Sequence, residues 1–493
     1  MALRDLREWV SLLEEKGELK RIQAEVDWNL ELGAIFRKVL NERGPALLFE
    51  NIKGYKGAWC QRFFCNGVGS RRRVNLALGL PPDTGYREIV RFFKERFSRQ
   101  IPSELVPTGP VKENIVRGGD VDLFQFPVPK WHHLDGGRYI NTSAGVVTRD
   151  PDTGELNVGT YRGMIGKKNS IPALIVPGQH GGIHLGKYQA RGEAAPVAVV
   201  YGWDPTLFMV SSTPVRHKGF SEYELMGSLR AASVELVKCE TSDLLVPATA
   251  EIVVEGKISP SPQDYEMEGP FGEYTGYYGG MRSPKPTIQV ECVSFRNNPI
   301  FRGTLEGTSP GRWAENVHFV CASFSAVCWQ LLEQIGVPNV TGVWIPPVTD
   351  STTIRVQIKK IYRGHAKQVA NALWGTNFYF AKNLIVVDDD IDIYDDEAIE
   401  WALAYRTNAT MGDFVTFPGT IGSNLDPSLP LKDRDVYRYG AAKWTRVLMD
   451  ATINWELEPE PQFGGKRYPP LSTDIDPEVA GLVAKRWREY GFS

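Results

Sequence analysis

The sequence predicts an α+β protein of two or three domains, and three observations carry that expectation. The chain has 493 residues, more than one hydrophobic core usually spans. From about residue 140 to 300, short runs rich in β-branched residues alternate with Gly and Pro turns, the pattern of a barrel or sandwich. Beyond residue 350, strand-like and helix-like segments alternate, which reads as an α/β domain.

The elements follow in order. Residues 3–16 carry Leu3, Leu6, Trp9, Val10 and Leu13 on one stripe with Gly17 as the stop, an amphipathic helix. Phe63 to Cys65 is an apolar run closed by Asn66 and Gly67. Phe126 to Pro129 places two prolines where no regular element continues, a domain boundary. Val197–Tyr201, Glu251–Val254 and Thr287–Val293 read as strands. One helix interrupts them: Ser221 and Glu224 form a capping box, and Leu225, Leu229, Ala232 and Leu236 follow at helical spacing. Trp313 to Ile335 is a long helix pattern stopped by Gly336 and Pro338. It reads as a connector. Ile354–Ile358 is a strand, His365–Trp374 a helix, Leu384–Val387 a strand and Asp396–Thr407 a helix. Asp476 and Pro477 open a last helix running to Tyr490, placed either on another subunit or free on the surface.

Composition narrows the function. Lys+Arg 56 against Asp+Glu 59 gives a net charge of −3, which argues against a nucleic-acid binder. No apolar run reaches the ~18 residues of a membrane span. The N-terminus is charged throughout and lacks an apolar signal region, so a cytoplasmic enzyme is expected. Cys60, Cys65, Cys239, Cys292, Cys321 and Cys328 show no paired spacing and read as reduced, mostly buried thiols.

Two charged segments invite chemistry and receive a structural reading instead. Asn66 to Arg73 departs from the dinucleotide fingerprint, with Arg at 72, and reads as a turn with solvated charges. Asp388 to Asp396 carries six carboxylates, but Ile393 and Ile399 stand where a calcium loop needs Gly and Glu. These acids suit a helix N-terminus. The seven histidines (132, 133, 180, 184, 217, 318, 365) form no HExxH, against common zinc sites. His132, His133 and His318 read as ordinary polar contacts rather than substrate ligands. In Glu268-Gly-Pro-Phe-Gly-Glu273, the Gly and Pro residues exclude a helix and bring two carboxylates to one turn. Such a pair suits proton transfer, because close carboxylates cannot both ionise easily; a solvated turn is the alternative. Asn157, His180 and Glu240 offer O and N donors suited to a Mg- or Mn-type cation, although their spacing is no motif.

NVGTYR at 157–162, GQH at 178–180, VSSTP at 210–214, VKCET at 237–241 with VPAT at 246–249, EGPFGE at 268–273 and LIVVDDDIDI at 384–393 followed by EWA at 400–402 together resemble the UbiD family of prenylated-FMN-dependent decarboxylases. The likeness covers nearly the whole chain. It implies a split β-barrel, flavin-reductase-like domain joined by a long helix to a C-terminal α/β oligomerisation domain. The division would be 1–120, 121–312, 313–335, 336–470 and 471–493, with the last a C-terminal helix. It also implies that Asn157, His180 and Glu240 hold Mn²⁺ on the cofactor phosphate. Val158, Val210, Ser211 and Thr213, with Glu240, would hold K⁺. Asn157, Val158, Gly159, Thr160, Tyr161, Arg162 and Gln179 would cradle the flavin, and Lys382 is set against a cofactor-contacting lysine. Arg162, Glu268 and Glu273 resemble the family's Arg-Glu-Glu network: Arg162 grips the substrate carboxylate by a bidentate fork, Glu273 delivers the proton, and Glu268 positions Arg162. CO₂ lost from an sp² carbon leaves electrons that no side chain accepts, so a cofactor is required.

The resemblance implies a small aromatic or heteroaromatic carboxylate and CO₂ as ligands, a flavin prenyltransferase as cofactor supplier, and a homo-oligomer, dimer or hexamer. Net carboxylation of a phenolic compound, alone or in a complex, shares the same residues. A non-catalytic flavin-binding assembly subunit is the alternative of another class, disfavoured by the intact Arg162, Glu268 and Glu273.

Overall fold

The protein is described here from a computed structural model covering residues 3–214, 221–376, 378 and 380–492. His217 lies outside the described residues. The fold is mixed α+β, built on two large sheets and two hydrophobic clusters.

The N-terminal helix Leu6–Glu15 begins where Asp5 accepts from the Glu8 N–H, and it buries Leu6, Trp9, Val10 and Leu13. That is the predicted stripe, and Gly17 follows with φ +70. Asn66 takes a left-handed φ of 60 after the strand Arg62–Cys65. Ser70 then caps the seven-residue helix Arg71–Ala77. The expected solvated charges are only partly so: Arg73 is 1% exposed and pairs with Glu18 at 3.0 Å.

The first large sheet holds seven strands. Asn114–Arg117, Thr287–Phe295, Ile252–Ile258, Ala195–Tyr201, Ala144–Arg149 and Leu156–Gly159 follow one another across it, all antiparallel, and Ser170–Pro172 pairs with Thr287–Phe295. The path is open among the described residues. Period-2 sequence explains its burial, with Val146, Val199, Val254 and Val293 on one side in one cluster and Val147, Ala198, Val200 and Val253 in the other.

The helix after Ser221 is shorter than its periodicity suggests. It runs Glu222–Arg230, ends at Ala231 with φ 58, and gives way to the strand Glu235–Lys238. Leu236 is therefore a strand residue. Leu and Ala at helical spacing also fit a turn followed by a buried strand.

Val317–Ile335 is the long connector, with 15 of its residues buried. It carries the chain to a five-stranded sheet in the order Val340–Trp344, Thr353–Ile358, Asn383–Asp388, Ala442–Ala451, Phe414–Gly422. The inner pairs are parallel and the outer ones antiparallel. The helices His365–Trp374 and Asp396–Arg406 stand where the sequence predicts them. Asp395 caps the second and Asp390 grips Arg406 with both oxygens, so the acidic run is structural as read. The helix Pro477–Arg486 starts at the Asp476 cap and has no buried residue. All six cysteines are free and buried. Among the described residues no helix is long and apolar enough to cross a membrane.

Candidate active site

A cavity of about 310 Å³ lies between the first sheet, the connector helix and the C-terminal domain. Its walls include Asn157 to Arg162 from the edge strand and the residues after it, Gln179 and His180 at the start of the helix His180–Arg191, Ser211 and Thr213, Phe271 and Glu273, and Ile421–Leu425 from the far sheet.

One wall is built around Arg162. Its Nε and Nη2 donate to the two oxygens of Glu268 at 3.0 and 3.1 Å, and Nη1 donates to Glu273. Glu268 is fully buried and also accepts from the Tyr139 hydroxyl at 2.7 Å. The turn that presents both acids contains a cis Gly269–Pro270 bond, and the Gly272 N–H donates to Asp135 at 3.0 Å. Burial would lower the Arg162 pKa, but Glu273 and Glu268 more than offset it and raise it. Burial raises Glu273 against the opposing pull of Arg162. The two turn carboxylates thus meet through a guanidinium rather than through solvent.

A second wall is close-packed backbone. Tyr161 accepts from the Gly181 N–H at 2.9 Å. A Cβ at Gly159 or Gly181 would lie 2.8 Å from the Tyr161 hydroxyl, so only glycine lets this ring sit there. The Asn157 amide nitrogen donates to Thr148 at 3.3 Å and Tyr161 at 3.4 Å. That leaves the amide oxygen as the acceptor for a cation. Thr160 N–H donates to the Ser211 carbonyl at 3.0 Å, and the Thr213 hydroxyl donates to Met209 O at 2.6 Å. Val158, Ser211 and Thr213 line the cavity; Val210 is buried in the helix behind them.

The structure does not bring Glu240 to this place. Its carboxylate is held by Lys112 at 2.5 Å and by Arg117, whose hydrogen bonds and charges keep its pKa low. It lines no part of the cavity. The reason is the early helix stop at Arg230, which sends residues 235–238 into a strand and carries Glu240 to the Lys112 side. Glu222, in the first turn of that helix, is on the cavity instead. It is 8% exposed, accepts from the Val158 N–H, and has one oxygen without a partner. Burial pushes it up to about 7. Sequence reading missed it because Ser221 and Glu224 absorbed the segment into a cap. The signal was available in an acid beside a cap whose own carboxylate the helix does not need: Ser221 already accepts from the Tyr223 N–H.

Lys382 does not line the cavity either. It pairs with Asp426 at 2.7 Å and donates to Ser428 at 2.9 Å. His132 faces Asp135, and His318 is stacked on Tyr86 with burial driving its pKa down to about 3. His133 is exposed. None of these three histidines lines the cavity. Among the described residues no three His, Cys, Asp or Glu side chains gather as a metal cluster; a site here needs the Asn157 amide.

A basic clamp between two acids on a glycine-backed cavity defines a carboxylate-handling enzyme site. The comparisons agree on which one. Residues 104–309 match the 3-octaprenyl-4-hydroxybenzoate carboxy-lyase Rift-related domain, 10–93 the N-terminal domain of the same family and 318–451 its C-terminal domain. The chain belongs to the UbiD family of carboxy-lyases. It is similar to vanillic acid decarboxylase of Sedimentibacter hydroxybenzoicus in closed form, with TM-score 0.88 and 29% identity over 99% of this chain and 100% of that one. It is similar to the UbiD-class enzyme HmfF from Pelotomaculum thermopropionicum in complex with FMN, with TM-score 0.78 and 31% identity over 98% and 100%. The uncharacterized protein sll0936 of Synechocystis is 30% identical over 99% of this chain and 96% of its own length.

Proposed function

We propose that this enzyme reversibly decarboxylates an aromatic or heteroaromatic acid with prenylated FMN, and that the open antiparallel sheet is the split barrel that holds the flavin. The observation that carries the reading is the Arg162 clamp between Glu268 and Glu273, facing the same cavity as Asn157, His180 and Glu222.

The residues present fit the cofactor. Gly159 and Gly181 leave a backbone wall a Cβ would fill. The N-terminus of the 12-residue helix His180–Arg191 lines the cavity, where a phosphate is favoured. Asn157, His180 and Glu222 supply the O, N and O donors of a Mn²⁺ that would neutralise that phosphate, with Glu222 replacing Glu240 in the set. Its unpartnered oxygen is the acceptor such an ion needs. Carbonyls near Val158, Ser211 and Thr213 suit K⁺. Residues 157–162 and Gln179 would hold the flavin. When bound, prenylated FMN supplies the sink for the electron pair that departing CO₂ leaves behind.

The chain's own residues do the rest. Glu268 occupies the Nε–Nη2 edge of Arg162, so the full fork is not open to the substrate. An incoming carboxylate takes the Nη1–Nη2 edge and competes there with Glu273. Two carboxylates on one guanidinium repel, which favours a proton on Glu273. Burial already raises it in the same direction. Once CO₂ has left, the Glu273 carboxyl gives that proton to the ring carbon. Glu268 and Tyr139 keep Arg162 in register throughout. The same parts run backward at high CO₂.

Protein co-expressed with a flavin prenyltransferase tests the reading: a modified-flavin visible spectrum and CO₂ release from aromatic acids are expected. Full activity in cofactor-free protein would end it. Self-association belongs to the same proposal, supported by the exposed apolar Val479 and Leu482 on the terminal helix and Trp487 at its C-terminal end.

A further inference from the structure

Behind the Asn157 amide a chain of polar contacts leads away from the cavity through Thr148 and His184, neither of which lines it. The strands Ala144–Arg149 and Leu156–Gly159 form one antiparallel hairpin in which Thr148 stands directly opposite Asn157, so their side chains share a face. The buried Thr148 hydroxyl accepts from the Asn157 amide nitrogen at 3.3 Å and lies 3.0 Å from His184 Nδ1. His184 follows His180 by one turn of the helix His180–Arg191, which puts both side chains on one face of it. The next member is Asp150, the first residue of the hairpin turn. Its Oδ2 lies 4.0 Å from His184 Nε2 and 2.6 Å from Lys187 Nζ. The turn fixes Asp150 in place: Oδ1 accepts from the Asp152 N–H at 2.8 Å, and the Asp150 N–H donates to Glu155 O at 2.9 Å.

We infer that Thr148 and His184 are positioning residues that fix the polarity of the Asn157 amide, so that its oxygen rather than its nitrogen meets the metal. This rests on the decarboxylase reading, which gives Asn157 an ion to hold. The protons of the chain have one consistent order. A carboxylate facing Nε2 favours the His184 tautomer protonated there, which leaves Nδ1 a bare acceptor. Burial lowers the His184 pKa against the pull of Asp150 and favours the neutral ring. Nδ1 then takes the Thr148 hydroxyl proton, and toward Asn157 the Thr148 oxygen can only accept. The amide nitrogen must therefore face Thr148. It also donates to the Tyr161 hydroxyl at 3.4 Å, and the amide oxygen is left to the cavity that Asn157 lines. A flipped amide would set two oxygens against each other at Thr148, a costly arrangement in a buried site. It would also aim at the cation a nitrogen with no lone pair to offer. Outer partners that orient a ligand in this way are part of a metal site's affinity.

The test follows Mn²⁺ itself rather than turnover. Metal-stripped protein loaded with FMN is titrated with MnCl₂, and bound metal is read from the loss of the free-ion EPR signal. Thr148→Val keeps the shape and removes the hydroxyl, and manganese affinity is expected to fall by about tenfold or more. Thr148→Ser should recover most of it. His184→Leu should also weaken binding, by less than Thr148→Val, because the freed hydroxyl can then face either end of the amide. A cycle with Asn157→Asp separates polarity from packing. A carboxylate presents an oxygen at either end, so in that background Thr148→Val should change manganese affinity by no more than about twofold. A loss of equal size in both backgrounds shows that Thr148 only packs there and overturns the inference, as does unchanged affinity in Thr148→Val. Unchanged affinity in His184→Leu alone removes His184 from it. Wild-type protein that takes up FMN but no manganese overturns the metal set of the proposed function instead, a result distinct from a wild type that binds the ion and a Thr148→Val that binds it equally well.

Discussion

The carboxylates of the cavity fall into two regions. Glu268 and Glu273 are clasped by one buried guanidinium; Glu222, Glu306 and Asp350 line the same space with no ion pair among the described residues. The first region is charge already compensated, fixed in place and costly to disturb. The second is charge withheld, because burial favours the neutral acid until a ligand arrives. Glu222 and Glu240 make the same contrast eighteen positions apart. Glu240 has the right chemistry for a metal but lies off the cavity, with each of its oxygens already engaged by a cation, Lys112 on one and Arg117 on the other. Glu222 has a spare oxygen and a cavity in front of it. What makes a ligand is the unfilled acceptor, not the residue type.

Breaking the clasped region has the largest expected effect. Arg162→Met removes substrate grip and strands two buried acids, so turnover should fall by about 10³-fold or more. Urea denaturation should show a loss of about 3–5 kcal/mol. Glu273→Gln leaves the geometry and removes the proton, for a fall of about 10²-fold in CO₂ release and in solvent deuterium exchange at the ring carbon. Intact exchange would place the proton elsewhere.

The contrast between Glu222 and Glu240 is sharpened by elemental analysis. Glu222→Ala should lower manganese and flavin affinity together, by at least about tenfold, while Glu240→Ala keeps both. The reverse result would restore Glu240 to the metal set.

A smaller effect separates withheld from compensated charge by pH. Glu306 and Asp350 have folded-state pKa values above the ordinary carboxyl range, at about 8 and about 7. The native state therefore holds protons that the unfolded chain releases from about pH 4. Stability is fully present below that range and is lost as pH rises toward about 8. The urea midpoint of cofactor-free protein should decline across this window, and Glu306→Gln should flatten the decline. A flat wild-type profile would show that these acids are ionised. Smallest of all, Glu240→Gln on the outer pair should shift stability by about 1 kcal/mol or less.

Glu268 and Glu273 were legible as an acidic pair because Gly and Pro force the turn, with a solvated turn left open as the alternative; Arg162 joined them only through the resemblance to the UbiD family. The C-terminal helices His365–Trp374 and Asp396–Arg406 were legible from their period, with Gly375 stopping the first and the Asp395 cap opening the second. Glu222 was not, since a cap motif explains its surroundings without it, and Leu236 prolonged a helix that Ala231 ends. Glu306 and Asp350 carry no pattern at all. They meet only because residues 305–308 lie along 273–276 and the turn after Pro347 closes over the connector helix.

The six buried thiols decide how this enzyme ages in air. Burial pushes Cys60 up to about 12 and Cys292 up to about 11, and the others rise for the same reason. Thiolate is the form that alkylating agents and peroxides attack, and the native fold offers almost none. Iodoacetamide or Ellman's reagent should label less than one cysteine per folded chain. Activity that fades on an open bench is then not lost at these thiols, and thiol reductants in the buffer would not protect it.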